Sequence, residues 1–177
     1  MKITLREMVL VAMLSAMAFA AKVVLSPITN VELVSLLLCV FTVVLGFRQG
    51  LLIAIIFTSI TVLESAYYGP GDWIVMYYIN WPLLSTLTRL LLSNDSSELK
   101  AATLLGLFGL LFDASGVAIK LLLFGPVYAY SYLISGIPFS IAHGLANFII
   151  ALFLFNPLCK ILREAKQQFL SCSPKNH

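Results

Sequence analysis

Charge is what this chain has least of. Asp, Glu, Lys and Arg make up 11% of its 177 residues, against roughly a quarter in soluble domains. So few charges do not cover a water-exposed globular surface. Cysteine is scarce as well. Cys39, Cys159 and Cys172 are odd in number and lack ligand spacing, which excludes a disulfide framework or a zinc site built on them. Cys39 reads as packing, and the other two as reduced thiols on the inner side. Catalytic signatures are missing: there is no G-x-x-x-x-G-K-[ST] loop, no H-E-x-x-H and no G-x-S-x-G, so the chain reads as a non-enzyme. A net charge of +3 is too small to point to nucleic acid. The apolar runs do not alternate, which excludes a transmembrane barrel. No repeat or low-complexity segment is visible.

What fills the chain is hydrocarbon. Sixty percent of it is hydrophobic and its mean hydropathy is +0.99, the composition of an integral membrane protein. The pattern predicts an all-α protein with six transmembrane helices over about 7–25, 31–46, 50–67, 73–92, 100–123 and 136–158, forming a single membrane domain over 1–177. Gly46-Phe-Arg-Gln-Gly50, Gly69-Pro-Gly71 and Ser93-Asn-Asp-Ser-Ser97 mark turns. The second span is short for a bilayer of ~30 Å, implying local thinning or burial among its neighbours.

Six spans put both termini on one side. Lys2, Arg6, Arg48, Arg89, Lys100, Lys160, Arg163, Lys166 and Lys175 share that side, while Lys22 and Lys120 fall near the other. The positive-inside rule then makes both termini cytoplasmic, with a basic tail over 158–177 at the inner surface. Lys2, the apolar stretch behind it and Ala18-Phe-Ala20 imitate a cleavable signal peptide. Its removal would leave five spans and spoil this asymmetry, so the segment is read as a retained helix.

Direction fixes depth. Glu64, Tyr67 and Tyr68 end the third span on the outer side. Asp72, Trp73, Tyr77, Asn80 and Trp81 occupy the outer half of the fourth. Asp113 and Lys120 lie from the middle to the outer end of the fifth, and His143 and Asn147 in the outer half of the sixth. The first outer loop adds Thr29, Asn30 and Glu32. Ionisable groups in a membrane are costly and face a protein interior or a water-filled cavity. Their concentration in one half predicts a cavity open outward and closed below, and the aromatics at that level suit a ligand with flat, apolar parts. The candidate ligand-binding residues are Asn30, Glu32, Glu64, Tyr67, Tyr68, Trp73, Tyr77, Asn80, Trp81, Lys120, His143 and Asn147.

Blander roles stay open for several of them. Thr29 and Glu32 have the spacing of a capping box. Tyr67, Tyr68 and Trp73 fit an interfacial belt, and Lys22 and Lys120 could snorkel to headgroups. Asn80 and Asn147 could hydrogen-bond between helices. Pro82 removes a backbone donor, and a kink there would widen the vestibule. A separate feature lies on the first helix. Ala12, Ala16 and Ala20 fall at intervals of four on one face, and small side chains let helices approach closely in lipid. That stripe is the candidate partner-docking surface.

The stretches Ala12-Met-Leu-Ser-Ala16-Met-Ala-Phe-Ala20, Pro27-Ile-Thr-Asn-Val-Glu-Leu-Val-Ser-Leu-Leu38 and Gly136-Ile-Pro-Phe-Ser-Ile-Ala-His-Gly-Leu-Ala-Asn147, with six short spans and the outer polar set, resemble the substrate-binding S components of energy-coupling factor (ECF) vitamin transporters. The resemblance covers nearly the whole chain. It implies a subunit of the bacterial plasma membrane that captures a vitamin from outside. It would work with a transmembrane T component docked on the alanine face and two cytoplasmic ATPases, which drive a toppling of the S component. The P-x-x-N-x-E-x-V-S pattern and the Trp73–Trp81 segment are most similar to the cobalamin-type branch, with pantothenate as the runner-up. No resident cofactor or metal is expected, although His143 could serve as an axial cobalt ligand. The alternative from another class is an autonomous small secondary transporter.

Overall fold

The computed structural model describes residues 4–171, without the side chains of Tyr68, Leu170 and Ser171. All regular structure among these residues is helical: α1 Leu5–Leu25, α2 Val34–Leu45, α3 Phe47–Thr61, a 3-10 turn Val62–Glu64, α4 Ser65–Tyr68, α5 Trp73–Leu91, α6 Glu98–Leu111, α7 Ala114–Phe124 and α8 Pro126–Ser171. Four helical stretches, 5–25, 47–67, 98–124 and 126–169, are long and apolar enough to cross a membrane.

The helix starts follow from local chemistry. Thr4 and Glu7 form a reciprocal capping box on α1. The Ser97 hydroxyl accepts from the Lys100 amide at the start of α6. Gly46 makes the α2–α3 turn alone, at φ 103°, a conformation that L side chains rarely adopt. The turn predicted over 46–50 is therefore a single residue, and α3 begins at Phe47.

The core is built around α2, in which every residue except Val43 is buried. At ~1.5 Å per residue its twelve residues rise only ~18 Å. Its neighbours α1, α3, α5, α6 and α8 enclose it, so the short helix is accommodated by burial. Four core hydroxyls are satisfied within their own helices: Ser15, Thr42, Thr58 and Thr61 donate to the carbonyls of Val11, Leu38, Ala54 and Phe57, four residues back.

α6 and α8 cross closely. A Cβ on Gly144 would lie 2.9 Å from the Gly106 carbonyl oxygen, and one on Gly109 would lie 3.0 Å from that of His143. Backbone approaches backbone there because the side chains are absent, the packing mode favoured in lipid.

Three expectations change. The fifth segment is two helices, broken at Phe112 and Asp113. The sixth is one helix of 46 residues that starts ten residues earlier than predicted and runs on through Pro138 and Pro157. Residues 158–171, expected as a separate tail, continue that helix.

The inner part of the predicted topology forms one end of the bundle, here the basic end. Lys166 of α8 donates to the Val44 carbonyl at 3.0 Å, capping the end of α2. Arg163 donates to the Asn94 carbonyl at 2.6 Å, and Asn156 to Glu98 at 2.5 Å. Cys39 and Cys159 are both buried free thiols, so Cys159 packs in the core as Cys39 does. Cys172, Lys2 and Lys175 lie outside the described residues.

Candidate functional site

At the opposite end, where α1 finishes and α5 begins, lies a cavity of about 630 Å³. Its walls are Phe19, Lys22 and Val23 of α1 with Ser26 that caps its end, Glu64 and Tyr67 of the turn and α4, and Trp73 and Tyr77 of α5. Positions 19, 22, 23 and 26 recur at i, i+3, i+4 and i+7, one face of a helix. That spacing was available in the sequence as a lining stripe, yet only Lys22 stood out by chemistry.

The turn chemistry places the aromatics. Gly69 leaves α4 at φ 77°. Gly71 lacks a Cβ where the Trp73 indole folds back over it: a Cβ there would lie 2.7 Å from the ring. Trp73, Tyr77 and Trp81 then follow one another at four-residue intervals along α5. Their edge-to-face contacts have ring centroids 5.6 Å and 5.7 Å apart. The series leads from the cavity wall into the core, where Trp81 meets Phe57, Phe108 and Phe112. The Trp81 indole N–H is buried there without a hydrogen-bond partner.

Lys22 and Glu64 form an ion pair on the cavity wall, with side chains 22% and 19% exposed. Lys22 thus has a protein partner rather than a headgroup. The pair presents one cationic and one anionic group side by side in a space walled mainly by rings. An occupant with both a donor and an acceptor on a flat frame is matched by that arrangement.

The other predicted site residues sit elsewhere. Glu32 and His143 bond each other at 3.4 Å. The Thr29–Glu32 capping box is replaced by a simpler arrangement in which the Glu32 carboxylate itself accepts the Ser35 amide at 2.8 Å. Negative charge at a helix start is favourable. Asn147 donates to the Ser35 hydroxyl at 3.4 Å, so Glu32–His143 and Ser35–Asn147 form two successive rungs joining α2 to α8. Asn80 is buried and donates to the Phe112 carbonyl at 2.9 Å, where α6 breaks. Asn30 turns the α1–α2 loop at φ 62°, a conformation Asn tolerates. The side chain of Tyr68 lies outside the description.

Lys120 is buried and paired with Asp72, with its ammonium 4.2 Å from the centre of the Tyr132 ring. Asp113, one residue before α7, accepts from Tyr132 at 3.4 Å and from Ser140 at 2.9 Å. These groups tie α5, α7 and α8 together around a separate pocket of about 170 Å³ that Asp113 helps to line.

The structure thus divides the predicted set. Glu64, Tyr67, Trp73 and Tyr77 share the large cavity, Glu32, His143 and Asn147 join helices, and Lys120 belongs to a third cluster. Among the described residues no three His, Cys, Asp or Glu side chains gather as a metal site. On α1, Ala12, Ala16 and Ala20 are exposed, on the face opposite buried Val11, Leu14, Ser15 and Ala18.

No family model, curated protein or solved structure matches this chain.

Proposed function

We propose that the chain is the substrate-binding membrane subunit of an ECF-type importer. It crosses the bacterial plasma membrane six times, with both termini in the cytoplasm and the aromatic end facing outward. The observation that carries this reading is the cavity of about 630 Å³ between α1, α4 and α5, walled by Phe19, Tyr67, Trp73, Tyr77 and the Lys22–Glu64 pair. The basic side chains collect at the other end of the bundle, as the positive-inside rule asks of the cytoplasmic side. The exposed alanine stripe supports docking of a T component, which would couple this subunit to two ATPases.

The cavity also bears on the ligand. Its volume lies within the ~300–1,000 Å³ range of small-molecule sites. A corrinoid with its axial groups extends beyond such a space, whereas a compact vitamin fits inside it. A pantothenate-sized or single-ring-system micronutrient therefore comes ahead of cobalamin. Lys22 already has a carboxylate partner, which favours a ligand without strong net negative charge.

Calorimetry of the purified chain against a vitamin panel, with no nucleotide present, tests the reading directly. Heat is expected for one compact member, and silence across the whole panel would count against it. Purification from native membranes should also bring down a second membrane protein and an ATPase pair. Uptake into vesicles by this chain alone would make it a self-sufficient transporter instead.

A further inference from the structure

We propose that the occupant of the aromatic cavity is a flat organic cation, a ring system that carries a quaternised or protonated nitrogen. The proposal rests on the cavity being the ligand site and adds the charge of what enters it.

Charge at the aromatic end of the bundle is out of balance. Among the described residues this end holds four carboxylates, Glu32, Glu64, Asp72 and Asp113, against two ammoniums, Lys22 and Lys120. It is anionic whichever form the His143 imidazole takes. Lys22 and Lys120 answer Glu64 and Asp72. Glu32 has the His143 ring as its side-chain partner, and Asp113 is held by the neutral hydroxyls of Tyr132 and Ser140. The carboxylates that act on the Tyr77 hydroxyl are Glu64, Glu32 and Asp113, so the field on that wall of the cavity is negative. Uncompensated charge in apolar surroundings is costly, and a cation entering beside it offsets the cost.

The walls suit the same charge. Phe19, Tyr67, Trp73 and Tyr77 surround the space with rings, and the faces of Trp and Tyr attract cations. The same end already shows this contact, with the Lys120 ammonium 4.2 Å from the centre of the Tyr132 ring. Lys22 is the cation in the wall itself, and it bonds only one oxygen of Glu64, Oε2. Oε1 has no hydrogen-bond partner among the described residues and is the acceptor left for a cationic N–H. A volume of about 630 Å³ admits a fused ring system between these groups.

The test is titration calorimetry of the full-length chain in detergent at neutral pH with three probes on one frame: N-methylquinolinium, neutral quinoline and a quinolinecarboxylate. The cation should bind about tenfold more tightly than quinoline, the ratio that a desolvated cation–π contact supplies, and the anion most weakly. Glu64→Gln should erase the preference, and Lys22→Gln should strengthen it, because one removes an attracting charge and the other a repelling one. Glu98→Gln, the same charge change at the basic end, should leave it unaltered, with thermal melting confirming that each variant is folded. Trp73→Ala should weaken all three probes, which places them in the cavity. Probes that depend on Trp73 but bind without regard to charge would overturn the proposal and leave the cavity as the ligand site. So would Lys22→Gln and Glu64→Gln shifting the preference in the same direction. No heat from any probe, or heat that Trp73→Ala leaves unchanged, would remove the cavity as the site and the proposal with it.

Discussion

Replacing Trp73 by alanine should weaken ligand binding far more than it weakens the fold, and replacing Trp81 should do the reverse. Trp73 lines the cavity and touches one other ring, that of Tyr77. Trp81, 4% exposed, packs against Phe57, Tyr77, Phe108 and Phe112. A ligand ring covering about 80 Å² of the Trp73 indole gains about 2 kcal/mol at ~25 cal/mol per Å², and its loss raises Kd about 30-fold. The stability lost with Trp73 is about 1 kcal/mol, the contribution of a single aromatic pair. Trp81→Ala empties a core position and should cost about 3–5 kcal/mol of stability, with affinity little changed in the protein that remains folded. The chain has only these two tryptophans, so intrinsic fluorescence reads both effects. In Trp81→Phe the ligand should quench the remaining Trp73 emission strongly. In Trp73→Phe it should barely alter Trp81, which lies one ring beyond Tyr77. Equal loss of affinity in the two alanine variants, or strong quenching of Trp81 alone, would refute the location of the site and move it into the core.

Gly144→Val should lower the melting temperature in detergent, by about 1–3 kcal/mol of overpacking, because the new side chain meets the Gly106 carbonyl and the Leu110 amide rather than movable atoms. Gly136→Ala, in the same helix with nothing near its Cβ, should instead stabilise by about 0.5–1 kcal/mol. A double-mutant cycle of Lys22→Gln and Glu64→Gln, read by chemical denaturation, should give a coupling of about 1 kcal/mol, since both partners keep some contact with solvent; a coupling near zero would remove the pair from the cavity wall. Ala16→Trp should leave melting and ligand binding intact, because Ala16 faces away from the bundle, while co-purification with the T component and cellular uptake fall together. Normal uptake by that variant would leave the stripe without a docking role.

The helices themselves were legible because long apolar runs between Gly, Pro and Ser clusters permit little else. The single cavity expected of the polar and aromatic groups was not: Glu64, Tyr67, Trp73 and Tyr77 share one cavity, Glu32, His143 and Asn147 join helices, and Lys120 lies in a third cluster. What the sequence could not supply was pairing. Glu64, Lys120 and His143 look alike as polar residues in apolar helices, and only the packing reveals that Lys22, Asp72 and Glu32 are their respective partners. Those partners lie 42, 48 and 111 residues away, so no local spacing encodes them. Phe19, Val23 and Ser26 escaped notice because they are chemically ordinary. They line the cavity through helical phase, which is visible only once the facing element is known. The sixth span was expected to begin at Gly136, whereas α8 already begins at Pro126, directly after Gly125 ends α7 at φ 83°.

At ~1.5 Å per residue, the 46 residues of α8 make a rod ~69 Å long, well over the ~40–45 Å of a whole bilayer with its headgroups. The glycine crossing with α6 holds that rod partway along its length. Arg163 and Lys166 fasten its far arm to the α5–α6 turn and to the end of α2. A tilt of about 10° would sweep the tip of the rod through roughly 12 Å relative to its other end, by the length that helical rise gives it. Because the arm is fastened, such a tilt would carry the α5–α6 turn and the end of α2 along with it or break both contacts.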